Sequence, residues 1–208
     1  DTFLIGQDGW ADGRLGDYTN SRAAINDSRM IADLFQAKII SKYQLLDKMQ
    51  ALADADAMEL RNDLERAVKL NHKHLIVLTH VPPYRETCMH MGEISDGDWL
   101  PYFSCKIIGD VLTDIATQHP SIEFLVLCGH THSESNYQPL DNLTVKTGKV
   151  EYQYPEVQEV IKKKKGLHCN PTPKPKNIFL TIIKVSYLPS IFHKIIIRIL
   201  TNNRLPKF

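Results

Sequence analysis

Three histidines follow two short apolar runs of the chain, at the points where each run ends. His80 follows residues 75–79, and His130 and His132 follow residues 125–128 as Gly-His-Thr-His. An imidazole nitrogen is a ligand that Zn, Fe and related divalent ions favour. Where the chain turns, a His-x-His pair can send its imidazoles to two sides, so each can take a different ion. We therefore predict a metal site at His80, His130 and His132.

Position favours this prediction over the ordinary alternative, which is a surface or hydrogen-bonded histidine at a strand end. Both apolar runs are typical of buried strands, and in open α/β sheets ligands bind beyond the carboxyl ends of the strands. Pro82 and Pro83 fix the backbone after His80. Two strands that end in histidines make a shared site the better interpretation.

The elements that must position these histidines are predicted from hydrophobic periodicity. Apolar residues recur at three- and four-residue steps over 41–70, without Gly or Pro, which predicts a long amphipathic helix. A second helix is predicted over 106–118. Unbroken apolar runs predict strands at 2–5, 74–80 and 122–128. Helices between buried strands indicate an α/β fold.

Residues 84–105 show no sustained period, and an irregular segment of that length is usually functional or disordered. His90 lies in this segment and is a candidate for binding the phosphate or leaving group of a substrate; the alternative is an ordinary loop histidine. Trp99 and Tyr102 are interpreted as packing residues, with a substrate cleft as the alternative.

The net charge of +1 is a cancellation between two unlike segments. Residues 1–159 carry 24 acidic and 14 basic residues, a net charge of −10, whereas residues 160–208 carry 11 basic residues and no acidic one. Four widely separated cysteines without a CxxC pair indicate reduced thiols. The first residues lack the basic and apolar regions of a signal peptide. These features predict a cytoplasmic protein.

The basic tail, residues 162–208, has three interpretations. The lysines at 162–165 and the Ile-rich run over 177–200 could contact an anionic membrane surface, as an interfacial helix or hairpin. Nucleic acid is not expected as a partner, because stacking aromatics are not interleaved with the lysines. We favour the third interpretation, a segment outside the enzyme domain that arose from a disrupted gene.

Two motifs carry a resemblance to a known family. The sequences Leu-Thr-His-Val-Pro-Pro-Tyr over 78–84 and Leu-Cys-Gly-His-Thr-His over 127–132 lie about fifty residues apart, after Gly-Trp-Ala-Asp-Gly-Arg over 9–14. Together they closely resemble the calcineurin-like metallophosphoesterases. The resemblance extends to about residue 161. It implies a domain over 1–161 that is the C-terminal part of a metallophosphoesterase, and a separate tail over 162–208.

The resemblance also implies fold, chemistry and ligands. The family has a four-layer αββα sandwich, of which we expect a part here, with two divalent ions (Mn, Fe or Zn) bridged by an aspartate and a hydroxide. It hydrolyses phosphate mono- or diesters. Carried over to this sequence, His80 and His130 would bind one ion and His132 the other. Paired ions clamp the phosphoryl oxygens and lower the pKa of the attacking water.

We identify none of the other motifs of the family, Asp-x-His, Gly-Asp and Asn-His, ahead of His80; the Gly-Asp and Asn-His dipeptides at 16–17 and 71–72 are not assigned to them. No catalytic residue is therefore assigned, and Asp8 and Asp12 are given structural or substrate-loop roles. We expect the chain by itself to bind metal weakly and to hydrolyse little or no phosphoester. The alternative is a non-enzymatic remnant, or a module that binds metal or mediates association.

Overall fold

The structure is a computed structural model that describes residues 2–151, 156–162, 167–169, 179–185 and 194–200. Its helices are α1 (Asp27–Met30), α2 (Ala32–Ile40), α3 (Lys42–Lys69), α4 (Leu100–Phe103) and α5 (Lys106–Gln118). Its strands are β1 (Thr2–Gly6), β2 (His74–Leu78), β3 (Met89–His90), β4 (Glu93–Ile94), β5 (Glu123–Cys128), β6 (Ser135–Leu140), β7 (Leu143–Thr147), β8 (Glu156–Lys162), β9 (Leu167–Cys169), β10 (Phe179–Val185) and β11 (Lys194–Leu200).

Six strands form the main sheet in the order β6-β7-β5-β2-β1-β9. Five of them run parallel, and β6 pairs antiparallel with β7 at one edge. The register pairs His74 of β2 with Glu123 of β5 and Leu78 with Leu127, so the carboxyl ends of these strands are level. The predicted α/β class is confirmed.

The long helix α3 and the shorter α5 pack on each other and cover one face of this sheet. Helix α3 begins where the sequence predicted, because the Ser41 hydroxyl accepts a hydrogen bond from the Gln44 backbone N–H at 3.1 Å. Its buried face repeats at helical spacing and consists of Leu45, Met49, Ala53, Ala57, Leu60, Leu64 and Ala67.

Alternate residues of the central strands contribute to two different clusters. Phe3, Leu75, Val77 and Phe124 lie on the helix side and belong to the large core. On the opposite face Ile76 and Leu127 are buried, with Leu4, Leu78, Leu125 and Ile161 packed against them. Burial on both faces explains why these strands are continuous apolar runs in the sequence.

The segment over 84–105 contains regular elements that the sequence did not predict. A short 3₁₀ helix, Arg85–Thr87, is followed by the hairpin of β3 and β4 and then by α4. Each has only two to four residues, too few to give a hydrophobic period. Tyr102 in α4 is buried, in agreement with a packing role, and Trp99 is partly exposed.

Part of the predicted tail is described. β10 pairs antiparallel with both β8 and β11, and β9 adds to the main sheet beside β1. The lysines at 163–165 and the proline-rich stretch at 171–176 lie outside the described residues, and the domain division at 161/162 stays a prediction. Among the helices described, none is long and apolar enough to cross a membrane.

Candidate metal centre

Three chain segments meet where β1, β2 and β5 end. The His80 N–H donates to the Asp8 carbonyl at 2.8 Å, and the Val81 N–H donates to the Gly9 carbonyl at 3.3 Å. On the other side, the Gly129 N–H donates to the His80 carbonyl at 3.0 Å. These backbone bonds extend the pairing beyond the strands, so that the loop after β2 is held between its two neighbours.

His80 and His130 lie side by side at this edge. His130 Nδ1 is 3.1 Å from His80 Nε2, and His130 Nε2 is 3.0 Å from the Tyr102 carbonyl oxygen. A carbonyl oxygen only accepts hydrogen bonds, so the proton of a neutral His130 is assigned to Nε2. The lone pair of His130 then lies on Nδ1 and faces His80.

This geometry fits two ligands of one divalent ion. Metal-binding histidines usually donate their second N–H to a carbonyl or carboxylate, as His130 does to Tyr102. Two nitrogens at about 2.0–2.1 Å from one ion are about 3 Å apart at adjacent ligand positions. The same 3.1 Å contact is also an imidazole–imidazole hydrogen bond, in which His80 Nε2 donates to His130 Nδ1.

The described residues do not supply the complete ligand set of the two-ion centre that the resemblance implies. Within the part of the chain that the structure describes, no group of three or more His, Cys, Asp or Glu side chains could hold a metal ion. His132 follows two residues after His130 and is anchored by its carbonyl, which accepts from the Val150 N–H at 3.1 Å. The structure thus joins His80 to His130 and does not gather His132 into the same ligand cluster.

The Gly-His-Thr-His turn has an unusual backbone. His130 and His132 have φ values of +70° and +66°, the left-handed region that residues with a Cβ adopt at a cost of about 1–2 kcal/mol each. Between them, the Thr131 N–H donates to the Gly129 carbonyl at 2.8 Å. Such strain in non-glycine residues clusters at functional sites. The turn sets the directions of both imidazoles.

Aromatic rings surround the histidine pair. Trp10 is stacked on His80 with centroids 6.3 Å apart, and it meets His130 edge-on at 6.2 Å. Phe103 lies at 89° to His130 with centroids 5.4 Å apart. His130 is only 8% exposed. The pair is therefore partly shielded from water, which strengthens its polar interactions.

Buried polar atoms without a hydrogen-bond partner accompany the pair. Within the described residues these include Trp10 Nε1 and the hydroxyls of Thr79 and Thr131. Each belongs to a residue at the carboxyl edge, directly beside or between the histidines. Such atoms are uncommon in folded proteins, and a water or an ion is a usual partner for them.

The carboxylates near this edge make structural contacts. Buried Asp12 accepts from the Ile107 N–H in the first turn of α5 at 2.9 Å and from Arg14. Asp56 of α3 accepts from the Gly9 N–H and from the Gln7 side chain, both at 3.1 Å. Burial raises the pKa of Asp56 above its usual value. The structural role expected for Asp12 agrees with these contacts.

His90 lies close to the same turn. Its Nδ1 is 3.2 Å from the Thr131 carbonyl oxygen, and its ring is tilted 60° to Phe103 with centroids 5.7 Å apart. The side chain is exposed. The structure thus places His90 at the rim of the histidine site, and its substrate-binding role stays a prediction.

The thiols of Cys88 and Cys105 are buried. Burial raises the pKa of both thiols far above the usual range. The Cys88 Sγ donates to the carbonyls of Tyr84 and Phe103, both at 3.2 Å. Within the described residues neither thiol belongs to a group of three or more side chains that could hold a metal ion, so the candidate site is built from imidazoles.

Asp56 and the Tyr102 carbonyl are the participants that sequence reasoning missed. Asp56 is a half-buried residue of a predicted helix, more than forty residues from the loop it supports. The Tyr102 acceptor is a backbone atom, which has no sequence signature.

Comparison with known families finds no matching family, and no curated protein is significantly similar to the chain.

Proposed function

We propose that the carboxyl edge of the main sheet is part of a metal-dependent phosphoesterase site of the calcineurin-like type, within a partial four-layer sandwich. The observation that carries the proposal is the side-by-side arrangement of His80 and His130, with nitrogens 3.1 Å apart. In this proposal the two residues hold one divalent ion, His132 belongs to a second ion position, and the substrate is a phosphate mono- or diester.

The motif order supports the proposal. A strand that ends in Thr-His-Val-Pro-Pro and a neighbouring strand that ends in Gly-His-Thr-His were expected to bring their histidines together, and the two strands are adjacent and parallel. Bound divalent ions would supply Lewis-acid activation of a phosphoryl oxygen. The protein's own contribution is to orient His130 through Tyr102 and to hold both rings beneath Trp10 and Phe103.

Hydrolysis by this chain alone is not expected, because carboxylate ligands are missing from the cluster in the described residues. We expect Zn²⁺ to bind weakly, as measured by equilibrium dialysis of the purified chain. We also expect no measurable hydrolysis of 4-nitrophenyl phosphate with Mn²⁺. Turnover that His132→Ala abolishes would contradict the expected inactivity.

A second candidate is a non-enzymatic module that binds one metal ion through the histidine pair. The direct contact between the two imidazoles favours this candidate, because it provides two ligands for one ion. No ligand cluster for a second ion is present among the described residues. Broadening of the ³¹P resonance of inorganic phosphate by protein-bound Mn²⁺ separates the two. A phosphoesterase site binds phosphate beside the ion, so broadening should exceed that seen with the His80→Ala, His130→Ala double variant. Equal broadening favours the module.

A further inference from the structure

The face of the main sheet opposite helices α3 and α5 is covered by further chain. Ile76 of β2 and Leu127 of β5 lie on this face and are only 1% and 5% exposed. Neither belongs to the core that packs under the two helices. Parallel strands are normally covered on both faces, and burial of this degree requires chain above the sheet as well as beside it. We refer to the surface around Ile76 and Leu127 as the second face.

Strand β8 contacts this second face through one of its own sides. Ile161 packs against the cluster of Ile76 and Leu127. Two residues earlier, the carboxylate oxygens of Glu159 lie 2.9 and 3.1 Å from Lys146 Nζ, and Lys146 is paired with Leu127 in the main sheet. Residues two apart in a strand lie on the same side. The side of β8 that carries Ile161 and Glu159 is therefore turned toward the main sheet.

The backbone register extends this side of β8 into β10 and β11. Ile161 is paired with Leu180, and Leu180 is paired with Ile199. Directly paired residues of antiparallel strands lie on one side of their sheet. The next row on the same side consists of Glu159, Ile182 and Ile197. By position, this side of the three-stranded sheet is apolar except for Glu159, which already has its partner in Lys146.

The opposite side of the three-stranded sheet has a different composition. Its rows are Val160, Thr181 and Arg198, followed by Lys162, Phe179 and Leu200. Each of these rows includes a basic residue, as is typical of the solvated side of an antiparallel sheet. The charges of the two parts are also complementary, because residues 160–208 carry 11 basic residues and no acidic one, whereas residues 1–159 have a net charge of −10.

We propose that strands β8, β10 and β11 form a second sheet that docks on the second face, so that the chain through β11 belongs to the folded unit. Two sheets that pack face to face lie about 10 Å apart, and their inner side chains form the core between them. The occupant of the second face is thus a segment of this chain. The proposal is independent of the phosphoesterase proposal, because it involves neither the histidines nor a metal ion. It replaces the domain boundary expected at 161/162 with one beyond β11.

Amide hydrogen exchange of the whole chain tests this placement. Ile199→Asn, on the side assigned to the contact, should speed exchange of the β5 amides at least about 10-fold, because it places a polar group between the sheets. Arg198→Asn is the matched control on the opposite side of the same strand, and it should change these rates less than about twofold. Leu180→Asn and Thr181→Asn repeat the comparison in β10.

A milder pair of variants keeps the test decisive if the Asn variants do not fold. Ile199→Val removes one methyl group and should still speed exchange of the β5 amides about 3-fold. Arg198→Lys keeps the charge on the opposite side and should leave these rates unchanged. Selective acceleration in the Ile199 variant of a monomeric chain, at a rate independent of protein concentration, supports the proposal.

Two results would overturn the proposal. Equal exchange rates of the β5 amides in the Ile199 and Arg198 variants would place β10 and β11 outside the folded unit. Protection of these amides that rises with protein concentration, together with a dimer in sedimentation equilibrium, would show that a second copy of the chain covers the second face.

Discussion

Histidines at the two ends of the same parallel strands have opposite environments. At the amino end, His74 Nδ1 lies 2.9 Å from a carboxylate oxygen of Glu123, and the Glu123 side chain is 72% exposed. These residues line an open cavity of about 340 Å³. At the carboxyl end, His130 is buried against His80 and a backbone carbonyl, under aromatic rings.

The difference shows that strand composition alone does not distinguish a site from a surface. Both ends have a histidine beside a buried apolar run. At the carboxyl end, left-handed histidines, unpartnered buried hydroxyls and an assigned tautomer occur together among the described residues. A surface contact between an imidazole and an exposed carboxylate, such as that of His74 and Glu123, contributes about 0–1 kcal/mol.

Packing at the carboxyl end should be the most sensitive to substitution. A Cβ added at Gly9 would lie 2.1 Å from Thr79 Oγ1, and the φ of Gly9 is +62°. We expect Gly9→Ala to lower the free energy of unfolding by about 3 kcal/mol, from overpacking and left-handed strain. Gly6→Ala is the control, since nothing lies within 4 Å of its added Cβ. Equal urea midpoints for the two variants would contradict the tight packing of Gly9 against Thr79.

Substitution of His130 should lower the affinity for Zn²⁺ much more than substitution of His74. His130→Ala removes an imidazole nitrogen and should reduce the Zn²⁺ association constant about 30-fold, or about 2 kcal/mol. His74→Ala should change it less than about twofold, because its neighbour is Glu123 and not another histidine. Isothermal titration calorimetry measures both, with circular dichroism to confirm folding. Similar losses in both variants would remove the distinction between the ends.

The buried carboxylate of the first loop should contribute more than an exposed one at the other end. Asp12→Ala leaves the Ile107 N–H without its acceptor and should cost about 1.5 kcal/mol. Asp141 is exposed beside the amino-end cavity, and Asp141→Ala should cost less than about 0.5 kcal/mol. Thermal unfolding of both variants at neutral pH provides the comparison.

Alkaline pH should destabilise the carboxyl end through Tyr84. Burial raises the pKa of Tyr84 to about 12, above the value of about 10 in unfolded chains. The stabilisation is therefore complete below pH 10 and is lost as pH rises from 10 to 12. Tyr84→Phe should cost about 1 kcal/mol at neutral pH, because its bonds to Gly109 and Thr113 are lost.

The same substitution should make the unfolding free energy fall less steeply between pH 10 and 12. Part of the fall in unfolding free energy should persist in this variant, since burial also raises the pKa of Tyr18 and Tyr102. An unchanged slope in Tyr84→Phe would show that this phenol does not contribute to the alkaline transition.

The long elements were predictable from the sequence because their hydrophobic patterns repeat over many residues. The predicted helices over 41–70 and 106–118 correspond to α3 and α5, and the apolar runs at 2–5, 74–80 and 122–128 correspond to β1, β2 and β5. Helix α2 was not predicted, because Phe35, Ile39 and Ile40 are exposed and blur its apolar stripe.

The meeting of His80 and His130 was also predictable, because parallel strands end at one edge of a sheet. What could not be predicted depends on backbone geometry or distant chain. The acceptor that fixes the His130 tautomer is the carbonyl of Tyr102, in a four-residue helix without a sequence signal. Whether His132 joins a ligand cluster, which it does not do among the described residues, likewise depends on where the turn directs its ring.

Both tryptophans of the chain lie near the histidine pair, Trp10 in ring contact with it and Trp99 separated from it by Phe103. The indole emission of the unlabelled protein therefore originates from the neighbourhood of the candidate site. Binding of a quenching ion such as Cu²⁺ should be visible directly as a loss of fluorescence, and Trp10→Phe leaves Trp99 to report alone on the hairpin side. The protein carries its own optical probe of the region.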